Sequence, residues 1–178
     1  MTIQVGADPA NTLTSAERLA SGKGWAPGDL FRDHSGNEWI YVQAGAAIAQ
    51  NLLVRVLASA HQAVPFTSAG VAGTAGAVKC YAISASASIA SGSYGWVMTK
   101  GTAGVLVSAS ATGTYVPTAG QLYALASAAA TGRVSQTATS THFAAIGLAV
   151  AATATTSTIT SAVPVVFFDG ITMTTVEA

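Results

Sequence analysis

The stretch Ser93-Tyr94-Gly95-Trp96-Val97-Met98-Thr99-Lys100-Gly101 decides how the chain is read. Tyr94, Trp96 and Met98 alternate with Gly95, Val97 and Thr99, the period of two that marks a strand with two different faces. Gly92 and Gly101 bracket the run, and Gly104 precedes a second short run, Val105-Leu106-Val107. That spacing predicts a hairpin turning at Gly101–Gly104. Gly95, having no side chain, lets another backbone or ring lie close to its face. Trp96 and Tyr94 are expected in the core of this hairpin. None of these side chains is chemically reactive, so the stretch speaks to architecture.

A second hairpin lies upstream. Asp29 to Arg32 reads as one strand, Asp33-His34-Ser35-Gly36-Asn37 as the turn, and Glu38 to Gln43 as the return strand. Trp39 and Tyr41 share a face with Gln43, and both aromatics are expected in the hairpin core. Asn51, after Gln50, sits where a left-handed backbone is useful, which asparagine tolerates better than most residues. Leu52 to Leu57 follows as a strand. His61 to Ala77, with Pro65 and three glycines, reads as a loop.

Further strands are expected at Val78 to Ser84, Thr114 to Pro117, Gln121 to Ala126, Arg133 to Gln136, Phe143 to Ala151 and Ser161 to Phe168. Turn signals recur about every eight to twelve residues, at Gly92, Gly101, Gly113, Gly120 and Gly132, as in sandwiches and barrels. The alanine-rich pieces have helical propensity, but their β-branched neighbours and glycines favour strand. Thr153 to Thr160 reads as a polar edge strand or a loop, and the tail after Asp169-Gly170 as a second arm. The fold class expected is all-β: a small sandwich or barrel of short antiparallel strands.

Residues 1–27 read as an N-terminal arm in front of a β-rich domain spanning 28–178, with 28–60 as a hairpin subregion. Asp8-Pro9 starts a turn. Thr14-Ser15-Ala16-Glu17 has capping-box spacing, so a short helix is expected to run to about Ala20 before Gly22 or Gly24 stops it. Such a helix is too short to be stable alone. Thr14, Glu17, Arg18 and Trp25 are therefore expected to contact a neighbouring subunit or shell, with Trp25 as the anchor.

Composition bears on function. The 178 residues carry seven basic and seven acidic side chains, only 8% charged against about 25% in ordinary soluble domains. Nine of these charges fall in residues 1–60 and five in residues 61–178. A balanced, sparse charge set gives no field for nucleic acid or an anionic membrane, and neither is expected as a partner. Mean hydropathy is +0.49, yet the most apolar run, Phe143 to Ala152, is too short to span a bilayer. Met1 to Asn11 lacks the basic and apolar regions of a secretory signal. Cys80 is the one cysteine, read as a packing residue. These features point to a self-associating subunit made in a reducing cytoplasm.

Motifs for catalysis are missing. Gly70-Val71-Ala72-Gly73-Thr74-Ala75-Gly76 lacks the Gly-Lys-Ser/Thr ending of a phosphate loop, and no Gly-x-Ser-x-Gly elbow occurs. His34, His61 and His142 lack metal-ligand spacing. No enzyme activity, cofactor or metal is expected.

Two strings resemble a known family. Asp33-His34-Ser35-Gly36-Asn37-Glu38-Trp39-Ile40-Tyr41-Val42-Gln43-Ala44-Gly45-Ala46-Ala47-Ile48 and Gly92-Ser93-Tyr94-Gly95-Trp96-Val97 look like the head decoration (cement) proteins of tailed bacteriophages, over residues 28–135. The resemblance implies a β-rich virion protein, commonly trimeric, on the outer capsid surface. There it bridges subunits of the major capsid protein and helps the shell resist packaged DNA. The competing readings are a receptor-binding, fibre or tail module of a virion, and a non-viral self-associating surface protein. A fibre is expected to show a repeat of 20–50 residues, and none is found.

Overall fold

The computed structural model describes residues 7–20, 25–58, 60–66 and 78–106, together with strand residues 122–125, 134–135, 145–149 and 165–169. The upstream hairpin forms as its turn chemistry predicts. Strand β1 (Leu30–Arg32) pairs antiparallel with β2 (Glu38–Ala44), placing Phe31 opposite Trp39. In the turn, Asp33 Oδ1 accepts from the amides of Ser35 and Asn37 at 2.9 and 3.0 Å, while Oδ2 accepts from Asn37 Nδ2 and Trp39 Nε1. Burial pushes the Asp33 carboxyl up, but these donors outweigh it and hold its pKa below the ordinary value.

Strands β3 (Leu53–Leu57), β4 (Gln62–Pro65), β5 (Val78–Ile83) and β6 (Tyr94–Gly104) complete a barrel. Its order is β2-β4-β3-β5-β6, closed by antiparallel pairing of β2 with β6. The two stretches read from sequence therefore pair with each other: Tyr41 lies opposite Trp96, Gln43 opposite Tyr94 and Trp39 opposite Met98. A ring with an odd number of strands cannot alternate direction all the way round. One neighbouring pair must be parallel, and here it is β2–β4. The expected small all-β barrel of short antiparallel strands is therefore present, with this one seam parallel.

Two expectations are corrected. The segment His61–Ala77, read as loop, contains β4, a strand of four residues whose last is proline. Pro65 sits at the strand end, where its missing N–H costs no interior ladder bond. Nor does the chain turn at Gly101–Gly104, because β6 continues through both as one eleven-residue strand. Gly101 has φ +138°, and a Cβ there would overlap Asn37 Oδ1, which accepts from the Thr102 amide at 3.3 Å. This glycine marks the close approach of the β1–β2 turn. Gly95 behaves as expected in kind: a Cβ there would crowd Ile89 Cδ1 at 2.8 Å, although the approaching group is aliphatic.

Two apolar clusters lie on opposite sides of the barrel wall. The first gathers Ile40 and Val42 from β2, Val54 and Val56 from β3, Ala63 from β4, Ala82 from β5 and Val97 from β6, with Ile48 and Ile89 at one end. It draws on all five strands and is built from small and β-branched side chains, which suit the narrow lumen of a five-stranded barrel. The second holds the larger groups of the opposite strand faces, Trp39, Tyr41, Leu53, Ile83, Trp96 and Met98. Trp25, Phe66 and Val105 cover it from outside the wall. Trp39, Tyr41 and Trp96 are buried and Tyr94 is partly buried, but all four line the outer core.

The second half of β6 leaves the barrel and pairs with β10 (Val165–Asp169), from Lys100 opposite Asp169 to Gly104 opposite Val165. Strand β9 (Ala145–Ala149) pairs with β10, β7 (Leu122–Leu125) with β9, and β8 (Val134–Ser135) with β7. The alanine-rich pieces around Leu125 and Ala145 thus contribute strands. The strand expected at Thr114–Pro117, the run Thr153–Thr160 and the tail after Gly170 lie outside the described residues. Among the described residues the protein is all-β apart from α1 (Ser15–Ala20), the short helix of the arm.

Candidate partner-binding surface

The arm is built on the predicted capping box. Thr14 Oγ1 accepts from the Glu17 amide at 3.2 Å, and Glu17 Oε2 accepts from the Thr14 amide and hydroxyl at 2.8 Å each. The Thr14 amide, then its hydroxyl, hold the exposed Glu17 carboxyl below its ordinary pKa. Before the helix, Leu13 exchanges two backbone hydrogen bonds with Tyr94, at 2.9 and 2.7 Å. The arm therefore adds one rung beside the start of β6. Arg18 donates from Nε and Nη2 to the Trp25 carbonyl, at 3.3 and 3.1 Å, with its guanidinium 4.8 Å from the Tyr94 ring centre.

Trp25 is an anchor, and its socket is in the same chain. It is 9% exposed and meets Tyr41 and Trp96 edge-on, with ring centres 5.8 and 5.5 Å away. Arg18 and Trp25 are thus engaged with the chain's own outer core. Thr14 and Glu17 are exposed, with their polar groups turned on each other. Sequence reasoning passed over Leu19. It is 82% exposed, the large hydrophobic residue left in water among the described residues. Its helical position one step beyond Arg18 was the available signal, since Arg18 points at Tyr94.

Beneath the arm is an open cleft of about 520 Å³. Thr12, Leu13 and Glu17 form one wall, and the loops joined by the Ile48–Ile89 bridge form the other. Its lining is mainly apolar and small. Among the described residues no three His, Cys, Asp or Glu side chains gather as metal ligands would. His34 is exposed on the β1–β2 turn, and His142 lies outside the described residues. Cys80 is half-buried, and burial pushes its thiol pKa up, away from the reactive thiolate. No helix is long and apolar enough to cross a membrane, among the described residues.

The outer core has an unusual polar account. Tyr41 Oη and Trp96 Nε1 are buried with no hydrogen-bond partner among the described residues. Burial raises the Tyr41 pKa, partly offset by Arg18. Removing an unpaired buried hydroxyl removes a desolvation cost. Tyr41→Phe is therefore expected to be neutral or to stabilise the protein by up to about 1 kcal/mol. The urea midpoint checks this, and a loss above about 1 kcal/mol would mean that the hydroxyl is bonded. Compared with known proteins, the chain matches no family model, no curated protein and no solved structure.

Proposed function

We propose that the chain is a structural virion protein that binds the outside of a phage capsid and stabilises the shell by bridging major capsid subunits. The observation that carries this reading is the distribution of charge: five charged residues from 61 to 178, on an all-β frame. A surface so poor in charge, with no net charge to repel its copies, associates readily. A homotrimer fits that surface. A protein that binds only the assembled shell shifts the assembly equilibrium toward it without any chemistry. The strings around Trp39–Ile48 and Tyr94–Val97 support the same reading through their resemblance to decoration proteins.

In this reading the arm presents Leu19 to the capsid. The test uses shells lacking the protein, to which the full chain is added and located by electron microscopy. Density on the outer surface is the expected result; binding confined to a tail or fibre would favour the competing virion reading. Leu19→Asp changes an exposed position, so the melting temperature is expected to stay nearly constant. Shell affinity is expected to fall about tenfold, the equivalent of one lost apolar contact. Unchanged affinity would remove the arm from the interface.

A further inference from the structure

We propose that the β2–β4 seam of the barrel is an acid-sensitive closure governed by His61. This seam is the parallel pair that the odd strand number imposes, and it is short. Only Gln43 with Gln62 and Ala44 with Ala63 are paired across it, against six pairs in the β2–β6 seam. Its bonds include Gln43 N–H to the His61 carbonyl at 3.3 Å and Gly45 N–H to the Ala63 carbonyl at 2.8 Å. His61 therefore supplies the first acceptor of the seam from its own backbone, at a left-handed φ of +48°.

The ring of the same residue is tightly placed. It lies against Gly28, where a Cβ would come within 2.7–2.9 Å of Cε1, Nδ1 and Nε2. Gly28 is itself tied to β2 by its N–H to the Tyr41 carbonyl, at 2.7 Å. On its other side, Lys79 Nζ of β5 stands 2.8 Å from Nε2. An ammonium has only protons to offer, so Nε2 must accept and the imidazole must be neutral, with its proton on Nδ1. Protonation of Nε2 removes this bond and sets two cations face to face.

Among the described residues, Lys79 is the charged group in contact with the ring. Asp29, on the 26–29 turn, directs its carboxylate to the Ala26 amide at 2.8 Å, while β2 and β4 present the uncharged Gln43 and Gln62. Burial first, and then the Lys79 charge, lower the His61 pKa from 6.5. The contribution to stability is therefore present above the unfolded pKa of 6.5 and lost as pH falls through the lower folded value. Relief at acid pH comes by moving the ring off Gly28, which takes the His61 carbonyl, and so the end of the seam, with it.

The test follows the full chain by NMR. His61 is titrated through its ring protons, and amide-exchange protection of Gln43 and Gly45 is compared at pH 7 and pH 5. In the wild type, His61 should titrate below 6.5, with protection of both amides falling at least about threefold at the lower pH. His61→Asn keeps a residue that tolerates the left-handed backbone, and there the fall should vanish. Lys79→Met should raise the His61 pKa and shrink the fall; this readout stands even if His61→Asn does not fold. A His61 that titrates at or above 6.5, or an equal fall in His61→Asn, would overturn the proposal.

Discussion

Trp96→Ala is expected to lower the unfolding free energy by about 3–5 kcal/mol, the range for removing a large aromatic side chain from a core. Trp96 is 1% exposed and is the meeting point of the outer core. Trp25 and Phe31 approach it with ring centres 5.5 and 5.8 Å away, and Tyr41 packs at 5.1 Å. Alanine leaves a void that three rings from three segments cannot all close, since β1 and β2 are held in register by their ladder. The loss would take a large share of the roughly 5–15 kcal/mol that holds a domain folded. Trp96→Phe separates packing from polarity. It keeps most of the volume and deletes the indole N–H, which has no partner among the described residues, so it should cost far less than alanine. Guanidinium unfolding followed by far-ultraviolet circular dichroism reads both. Equal midpoints for wild type and Trp96→Ala would refute the packing account.

Gly101→Ala is expected to cost about 2–4 kcal/mol, from two sources that a double mutant can separate. The first is backbone strain, because φ +138° is closed to side-chain-bearing residues. The second is the collision of the new Cβ with Asn37, whose side chain is bonded to Asp33 and Thr102 and is not free to swing away. Placing Gly101→Ala in an Asn37→Ala background removes the two nearest atoms of the collision, Oδ1 and Cγ, leaves Cβ at 3.0 Å and keeps the strain. The cost of the glycine substitution should then drop by a measurable interaction energy. Additive losses would show that strain alone accounts for it.

How much of this was legible from residues depends on how local each cause is. The β1–β2 hairpin was legible because Asp33, Gly36 and Asn37 close their own turn. So was the capping box, whose partners are three residues apart. Gly101 was misread because a glycine says that a Cβ is unwelcome without saying what excludes it; the excluding group comes from the distant β1–β2 turn. Strand β4 was missed because four residues ending in proline carry too little alternation to signal a strand. Its identity comes from pairing on both sides, with Val54, Arg55 and Val56 of β3 and with Gln43 and Ala44 of β2, the latter brought alongside only by the closed barrel.

The alternation in β2 and β6 correctly separated two faces but did not say which was the lumen. A sequence reader puts Trp and Tyr innermost. Five strands leave room inside for Val and Ala, so the aromatics form a second core on the outside. That second core needs a cover, and Trp25 supplies it. Trp25 was expected to anchor the arm on a neighbouring subunit or shell; its socket within the chain required Tyr41 and Trp96 to be side by side. Of the candidate contact residues, Thr14 and Glu17 are left facing water, joined by Leu19.

Strand β6 belongs to two neighbourhoods, and this sets an order in time. All five barrel strands lie between Glu38 and Gly104, so a chain emerging from the ribosome carries every barrel partner once β6 is out. The far half of β6, from Lys100 to Gly104, then waits through the synthesis of three more strands for its partner β10. Throughout that interval the newborn protein is a closed ring with the far half of β6 trailing as an open ladder edge. That edge exposes the nascent chain to pairing with the wrong strand.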